Sequence, residues 1–384
     1  MLPFVRMFDY GNIAPEAPKI KKVLCGLDNL YVLYDDGSLY GCGVNSYFQL
    51  NVTNTATRNT WILISEGVTD AWAGAYNILY IKGEEFIMHG VTTQLGTGNT
   101  MIPLGGLNVT SSFPHISNIK MISIGADTMH YVDASGSIVY GRGMNGNYSL
   151  GGGYSTAQST FVSVINTGAN TVLDILGTQN NTLILTSNGE LLGCGSSEYG
   201  SLGVSQGQYT TLVSRLTSVK LFGGNSTGTL AYSASNIYNA GWQYVGQLGN
   251  GITTNTLVYP FAFNSTTIDS NIHKISKSST SSRVNMYATT EGKIYSTGEF
   301  GRNGSGGSLS RFTNTLTLDN YNPEKSALYT CAHFSIVFDG NNQIYACGSF
   351  CMCVLLPRTH GLQLQCRNDT IKLCQYLMLA FLLY

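Results

Sequence analysis

The stretch DASGSIVYGRG (residues 133–143) decides the fold. Asp133-Ala134-Ser135-Gly136 is a turn of the kind that joins antiparallel strands. Ser137-Ile138-Val139-Tyr140 is a short aliphatic strand, and Gly141-Arg142-Gly143 closes it. The same signature returns as GSLYGCG (37–43) and GELLGCG (189–195). Weaker copies are FIMHG (86–90), IYNAG (237–241), IYSTG (294–298) and IYACG (344–348). Each copy ends on an anchor glycine: Gly43, Gly90, Gly143, Gly195, Gly241, Gly298 and Gly348. A period of about fifty residues, held over seven copies, is the sequence mark of a propeller or solenoid.

The flanks of the signature complete one repeat unit. Ile119–Ile124 reads as a strand ended by Gly125, Met129–Val132 as a second, and Phe161–Val164 as a fourth. Four strands per period make one propeller blade. A leucine stands seven residues beyond the anchor in four copies: Leu50, Leu150, Leu202 and Leu248. Repeat two is shorter, with Leu95 in that role, and repeat six, Gly301-Arg302-Asn303-Gly304, has lost the leucine. A buried leucine pinning each loop to its blade explains this spacing without a ligand. Upstream, a second glycine marks the end of the preceding strand: Gly26, Gly74, Gly125, Gly177 and Gly223 or Gly224. Ser278 and Ala332 are its nearest counterparts in repeats six and seven.

Composition agrees. Charged residues are 11% of the 384-residue chain, against roughly 25% in ordinary soluble domains. Glycine and small polar residues replace them, which suits turns and short strands and not long amphipathic helices. The net charge of −1 and the absence of a long basic run argue against direct nucleic-acid binding. Lys19-Ile20-Lys21-Lys22 leads into a strand and reads as its solvated edge. Residues 1–12 lack the continuous apolar core of a secretory signal. Nine cysteines, an odd number, suit a reduced intracellular chain, cytoplasmic or nuclear, better than a disulfide scaffold.

Together these residues resemble the regulator of chromosome condensation repeat, carried best by residues 22–50 and 237–251 and extending over 1–350. The resemblance implies an all-β, seven-bladed β-propeller with four antiparallel strands per blade. Such rings close by letting one chain end complete a blade begun by the other, and here Pro3–Tyr10 is the expected closing strand. Members of the family act by display: the founding member is a nucleotide-exchange factor for the small GTPase Ran and docks on nucleosomes, and relatives regulate GTPases or serve ubiquitin ligases. Many family repeats carry histidine three residues after the strand-end glycine. Here Asn29, Asn77, Thr128 and Asn180 stand there, so exchange residues are not carried over.

Chemical constellations are sparse. Cys42, Cys194 and Cys347 each precede an anchor glycine, and Cys25 and Cys331 share a place near the strand end, as small apolar core residues would. Cys347-x3-Cys351-x-Cys353 matches no familiar pair of zinc hooks. The six histidines show no paired spacing, no Ser-His-Asp set is recognisable, and the glycine runs 143–146 and 151–153 lack the Lys-Ser/Thr and helix of a phosphate loop. No metal, cofactor or covalent active site is expected. Trp242 and Tyr244 lie in a loop and read either as packing against the next blade or as a partner-binding anchor. Residues 351–384 lose the glycine rhythm, and the apolar run 376–384 is too short to span a bilayer. That segment reads as a buried closing element, a weak anchor for membrane or partner, or the product of a shifted reading frame. The break in mid-motif after Gly348 favours the last. The expectation is a monomeric, non-enzymatic interaction module, a guanine-nucleotide exchange factor-like regulator of a small GTPase, with a scaffold in ubiquitin transfer as the alternative.

Overall fold

The structure, a computed structural model, describes residues 18–348 except 234–235, 265–270, 300 and 306. Seven antiparallel sheets follow one another along the chain. They span 20–65, 68–108, 119–166, 172–216, 219–263, 272–317 and 327–348. In blades one to six, four strands pair in simple sequence order, and three strands of blade seven are described. First strands of neighbouring blades meet through blades 7–1–2–3–4 and again through 5–6–7, so they line the centre of a ring. The expected closing strand at Pro3–Tyr10 and the atypical segment 351–384 lie outside the described residues.

The anchor glycines occupy one register throughout. Each is paired with the first residue of its blade's second strand: Asn29 with Gly43, Asn77 with Gly90, Thr128 with Gly143, Asn181 with Gly195, Gly228 with Gly241, Val284 with Gly298 and Phe334 with Gly348. All seven have positive φ, from 104° at Gly298 to 138° at Gly143. The turned backbone aims the next N–H at the carbonyl just before the second strand. Val44 donates to Asp28, Met144 to Asp127, Ser196 to Asn180, Trp242 to Thr227 and Glu299 to Arg283, at 2.8–3.1 Å. A Cβ at Gly143 would lie 2.2 Å from the Asp127 oxygen, and one at Gly298 2.0 Å from the Arg283 oxygen. Glycine is therefore required twice over, by conformation and by contact.

The strand-end glycines answer a different constraint. Around the inner wall neighbouring blades touch backbone to backbone: Leu27 N–H donates to Ala75, Gly224 N–H to Ser276, and Lys277 N–H to Leu328. A Cβ on Gly125 would sit 2.6 Å from the Thr178 oxygen. Three sequence assignments shift here. The equivalent position is the one whose N–H donates to the first residue of the second strand: Gly26, Gly74, Gly125, Thr178 and Cys331. In blade four it is therefore Thr178 and not Gly177, so the residue opposite the anchor is Asn181 and not Asn180. In blade seven it is Cys331 and not Ala332. In blade six the first strand ends earlier than expected, at Ile275, and Ser276 N–H donates to Met286 across a longer loop, which displaces the Ser278 assignment. The first turn is of one length in blades one to four and seven, while the hairpin from second strand to anchor glycine varies (Asn77–Gly90 against Thr128–Gly143), so a spacing counted back from the anchor slips.

Apolar clusters bridge adjacent blades. Leu50, Leu150, Leu202 and Leu248 are completely buried, and Leu95 is buried. Leu50 packs with Val68, Ile78 and Tyr80 of blade two, and Leu202 with Val219, Phe222 and Ala231 of blade five. The last seam, between blades seven and one, joins Phe334, Ile336 and Phe338 to Val32, Tyr34 and Cys42.

Replacing Gly143 with alanine is expected to cost at least about 3 kcal/mol, from backbone strain plus the carbonyl clash. Gly67→Ala is the control, since Gly67 has φ +70° with no atom within 4 Å of a Cβ, and should cost about 1 kcal/mol. Urea denaturation of both variants reads the difference, and equal costs would show that the clash is absent.

Candidate functional site

Strand alternation decides where function can sit. In an antiparallel four-stranded blade the first-to-second and third-to-fourth connections emerge at the same end. In blades one, three, four, five and six the hydrogen bond after the anchor glycine ties these two loops together. Among the described residues one face of the ring is thus built from pairs of loops in blades one to six and the first loop of blade seven, and its inner rim carries one residue per blade, the last before the second strand: Asp28, Tyr76, Asp127, Asn180, Thr227, Arg283 and His333. Their backbones are held by the repeat while their side chains vary: only Asp28 and Asp127 share an identity, and Thr227 alone is buried. Sequence reasoning missed this set. The signal was present as the one place, two residues after the strand-end glycine, where well-aligned copies disagree.

The rim is electrically divided. Asp28 and Asp127 lie on blades one and three, Arg283 and His333 on blades six and seven. His333 Nδ1 is 2.7 Å from Asp28 Oδ1 across the closing seam. Arg283 and Arg302 both reach Glu299, at 2.9 and 2.8 Å. Half-buried Asp127 has a carboxyl whose pKa is raised by desolvation. Between the two carboxylates stands Tyr76, edge-on to Tyr47 with ring centroids 5.3 Å apart. Desolvation raises its phenol's pKa, and Tyr47, Asp127 and Asp28 add to the effect.

Farther out, at blades four and five, the two aromatics singled out from sequence lie together. Trp242 stacks on Tyr244 at 5.6 Å and 12°, and Tyr199 of blade four approaches Trp242 at 5.9 Å. Trp242 Nε1 donates to Asn255 Oδ1, which fixes the indole. Tyr244 is 47% exposed and Tyr259, beside Gly200, is 43% exposed. Trp242 packs towards Tyr199 of the neighbouring blade, and Tyr244 presents its ring to solvent.

The ring's centre is bridged. Lys277 of blade six pairs with Asp174 of blade four and lies over the Phe222 ring of blade five. At the end of the ring opposite the loop face, each first strand of blades one to six bulges at its second residue. Lys21 and Lys120 in these bulges donate to Thr69 and Val172 carbonyls of the next blade, at 2.7 and 3.3 Å. The Lys19–Lys22 stretch thus includes an inter-blade latch.

The buried histidines have structural surroundings. His130 is fully buried, with Nε2 3.0 Å from the Leu150 carbonyl, to which it donates. His89 stacks on Tyr80. Burial pushes both from an ordinary 6.5 down to about 4. Among the described residues no group of three His, Cys, Asp or Glu side chains is placed to hold a metal ion. No described helix is long and apolar enough to cross a membrane.

Because the folded-state pKa lies below the unfolded one, the stabilisation from keeping these rings neutral is complete above pH 6.5 and is lost as pH falls towards 4. Each histidine then accounts for up to roughly 3 kcal/mol. Urea midpoints measured between pH 7 and pH 4 should fall, and should fall less in His130→Gln. An unchanged slope in that variant would remove His130 from the account.

No protein-family model matches the chain. Over 233 residues, 56% of the chain, it is 30% identical to the ultraviolet-B receptor UVR8 of Arabidopsis thaliana, and the match spans 49% of that protein. The chain thus covers about half the length of this curated relative. Among solved structures it is similar to Prp20p from Saccharomyces cerevisiae, with a TM-score of 0.66 and 14% identity over 82% of this chain and 81% of that one. It is also similar to human WBSCR16, with a TM-score of 0.61 and 16% identity over 82% and 85%. Yeast Prp20 is also called RCC1. The chain is a seven-bladed propeller similar in fold to yeast RCC1 and human WBSCR16.

Proposed function

We propose that this propeller is a non-enzymatic protein-interaction module whose loop face docks a small GTPase and promotes nucleotide release. The observation that carries the reading is the inner rim: side chains held at equivalent backbone positions but varied around the ring, with Asp28 and Asp127 on blades one and three and Arg283 on blade six. Such an arrangement selects a partner by charge pattern and orientation. The exposed Tyr244 ring supplies the aromatic anchor that interfaces favour. Prp20p, the structural relative, is described with its binding to Gsp1p and histones. Nucleotide release requires only that the docked loops hold the nucleotide-free GTPase better than the nucleotide-bound form, a difference in affinity and not bond chemistry. The alternative, a scaffold or substrate-recruiting module as in ubiquitin transfer, uses the same face without that difference.

The test is release of a fluorescent guanine nucleotide from a panel of small GTPases, with Asp127→Arg and Tyr244→Ala as variants. Acceleration by the native chain, reduced at least tenfold by Asp127→Arg with the fold intact by circular dichroism, is the expected result. If no GTPase is accelerated while a captured partner still loses binding in both variants, the scaffold reading replaces the exchange reading.

A further inference from the structure

The leucine slot is filled differently in blade six, and two hydrogen bonds locate it. In blade five Asn239, two residues before the anchor, donates to the carbonyl of Leu248. In blade six Ser296, two residues before its anchor, donates to the carbonyl of Asn303. Next, Cys194 Sγ of blade four donates to the carbonyl of Ser149, the residue before Leu150 of blade three. Likewise Cys347 Sγ of blade seven donates to Arg302, the residue before Asn303. Asn303 thus stands where Leu50, Leu95, Leu150, Leu202 and Leu248 stand in blades one to five. Its amide does not project between blades. It turns back on its own loop, donating to Gly298 and Gly307 at 2.9 Å and accepting from Ser305.

A crevice of about 60 Å³ remains between blades six and seven where the leucine is missing. Met286, Ile294 and Val337 form its apolar wall, with Asn303, Ser335 and Cys347 also facing it. Ser335 is 2% exposed and its hydroxyl has no hydrogen-bond partner among the described residues. A buried, unanswered hydroxyl costs free energy unless something bonds it. The volume exceeds the 10–15 Å³ or so that one water needs.

We propose that this crevice is a binding site for a small neutral ligand with a branched aliphatic body and one hydrogen-bonding group. The body takes the place of the isobutyl group that five sister blades supply from their own chain. The polar group bonds the Ser335 hydroxyl. The site lies within the ring wall, apart from the rim and from Tyr244, so it stands or falls independently of the partner reading.

Isobutanol is the probe, the leucine side chain carrying a hydroxyl. Titrated into the full chain labelled with ¹³C-methyl methionine, it should shift the Met286 resonance saturably in the millimolar range or below. Ser335→Ala should weaken binding about fivefold, the usual worth of one hydrogen bond. Asn303→Leu should abolish it by filling the crevice. Ser335→Ala leaves the loop hydrogen bonds in place, so it remains informative if Asn303→Leu fails to fold. No saturable shift in the native chain, or equal affinity in Ser335→Ala, would overturn the proposal.

Discussion

Everything in this ring depends on one contact: the loop after each third strand must reach across and seal the face of the next blade. A four-stranded sheet has two faces and cannot bury both within itself. The loop solves this with an apolar knob and a polar clamp together. Leu95 is buried, and its carbonyl accepts from Arg142 of the next blade at 2.9 Å. Thr182 donates to Ser149 and Asn285 to Gln247 of the preceding loops, each at 2.7 Å. Since the clamped groups are backbone carbonyls, the loop's course is fixed whatever side chains it carries outward. Burying one leucine contributes about 2 kcal/mol, and the clamps keep its carbonyls from being orphaned in the seam.

This division of labour separates architecture from recognition. Inward, the repeat is strict because packing, positive φ and close backbone approach leave few choices. Outward, the rim positions admit varied side chains, from Asp28 and Tyr76 to Arg283 and His333. The bridged centre, with Lys277 reaching Asp174 over Phe222, draws attention away from the channel and towards the loop face. The aromatic cluster of Trp242 and Tyr244 extends that face to the outer edge of blades four and five. A rigid platform with variable loops suits binding of a protein surface, where the ordering cost on the propeller's side is already met by the fold.

Much of this was legible in the sequence because the strict residues are chemically conspicuous. No other residue type serves at φ +138° beside a carbonyl, so Gly143 and its counterparts announced the register. The leucines did the same for the loops. What escaped had physical reasons. Thr178 stands in blade four where blades one to three have the strand-end glycine, and Gly177 lies one residue before that place, so counting from Gly177 slipped by one. The rim residues could not be recognised from their identities, since their common feature is position and not chemistry. Lys19–Lys22 looked like a solvated edge, and only three-dimensional proximity shows the Lys21 ammonium group latched onto the next blade, as that of Lys120 is two blades on. The loss of the leucine in repeat six was visible, whereas the crevice it leaves was not. Trp242 and Tyr244 stood out as large aromatics just past an anchor glycine, although Trp242 lies near the end of the strand Asn236–Gln243 and only Tyr244 beyond it.

If interlocking between blades holds the ring together as one unit, the amides that follow the anchor glycines should open only with the whole molecule. Native-state hydrogen exchange at Val44, Met144, Ser196, Trp242 and Glu299 measures this directly. The account predicts that these amides share one opening free energy, equal to that of global unfolding by denaturant. Exchange of single blades at separate and much lower free energies would contradict it, and would show that the blades are strung side by side and not locked.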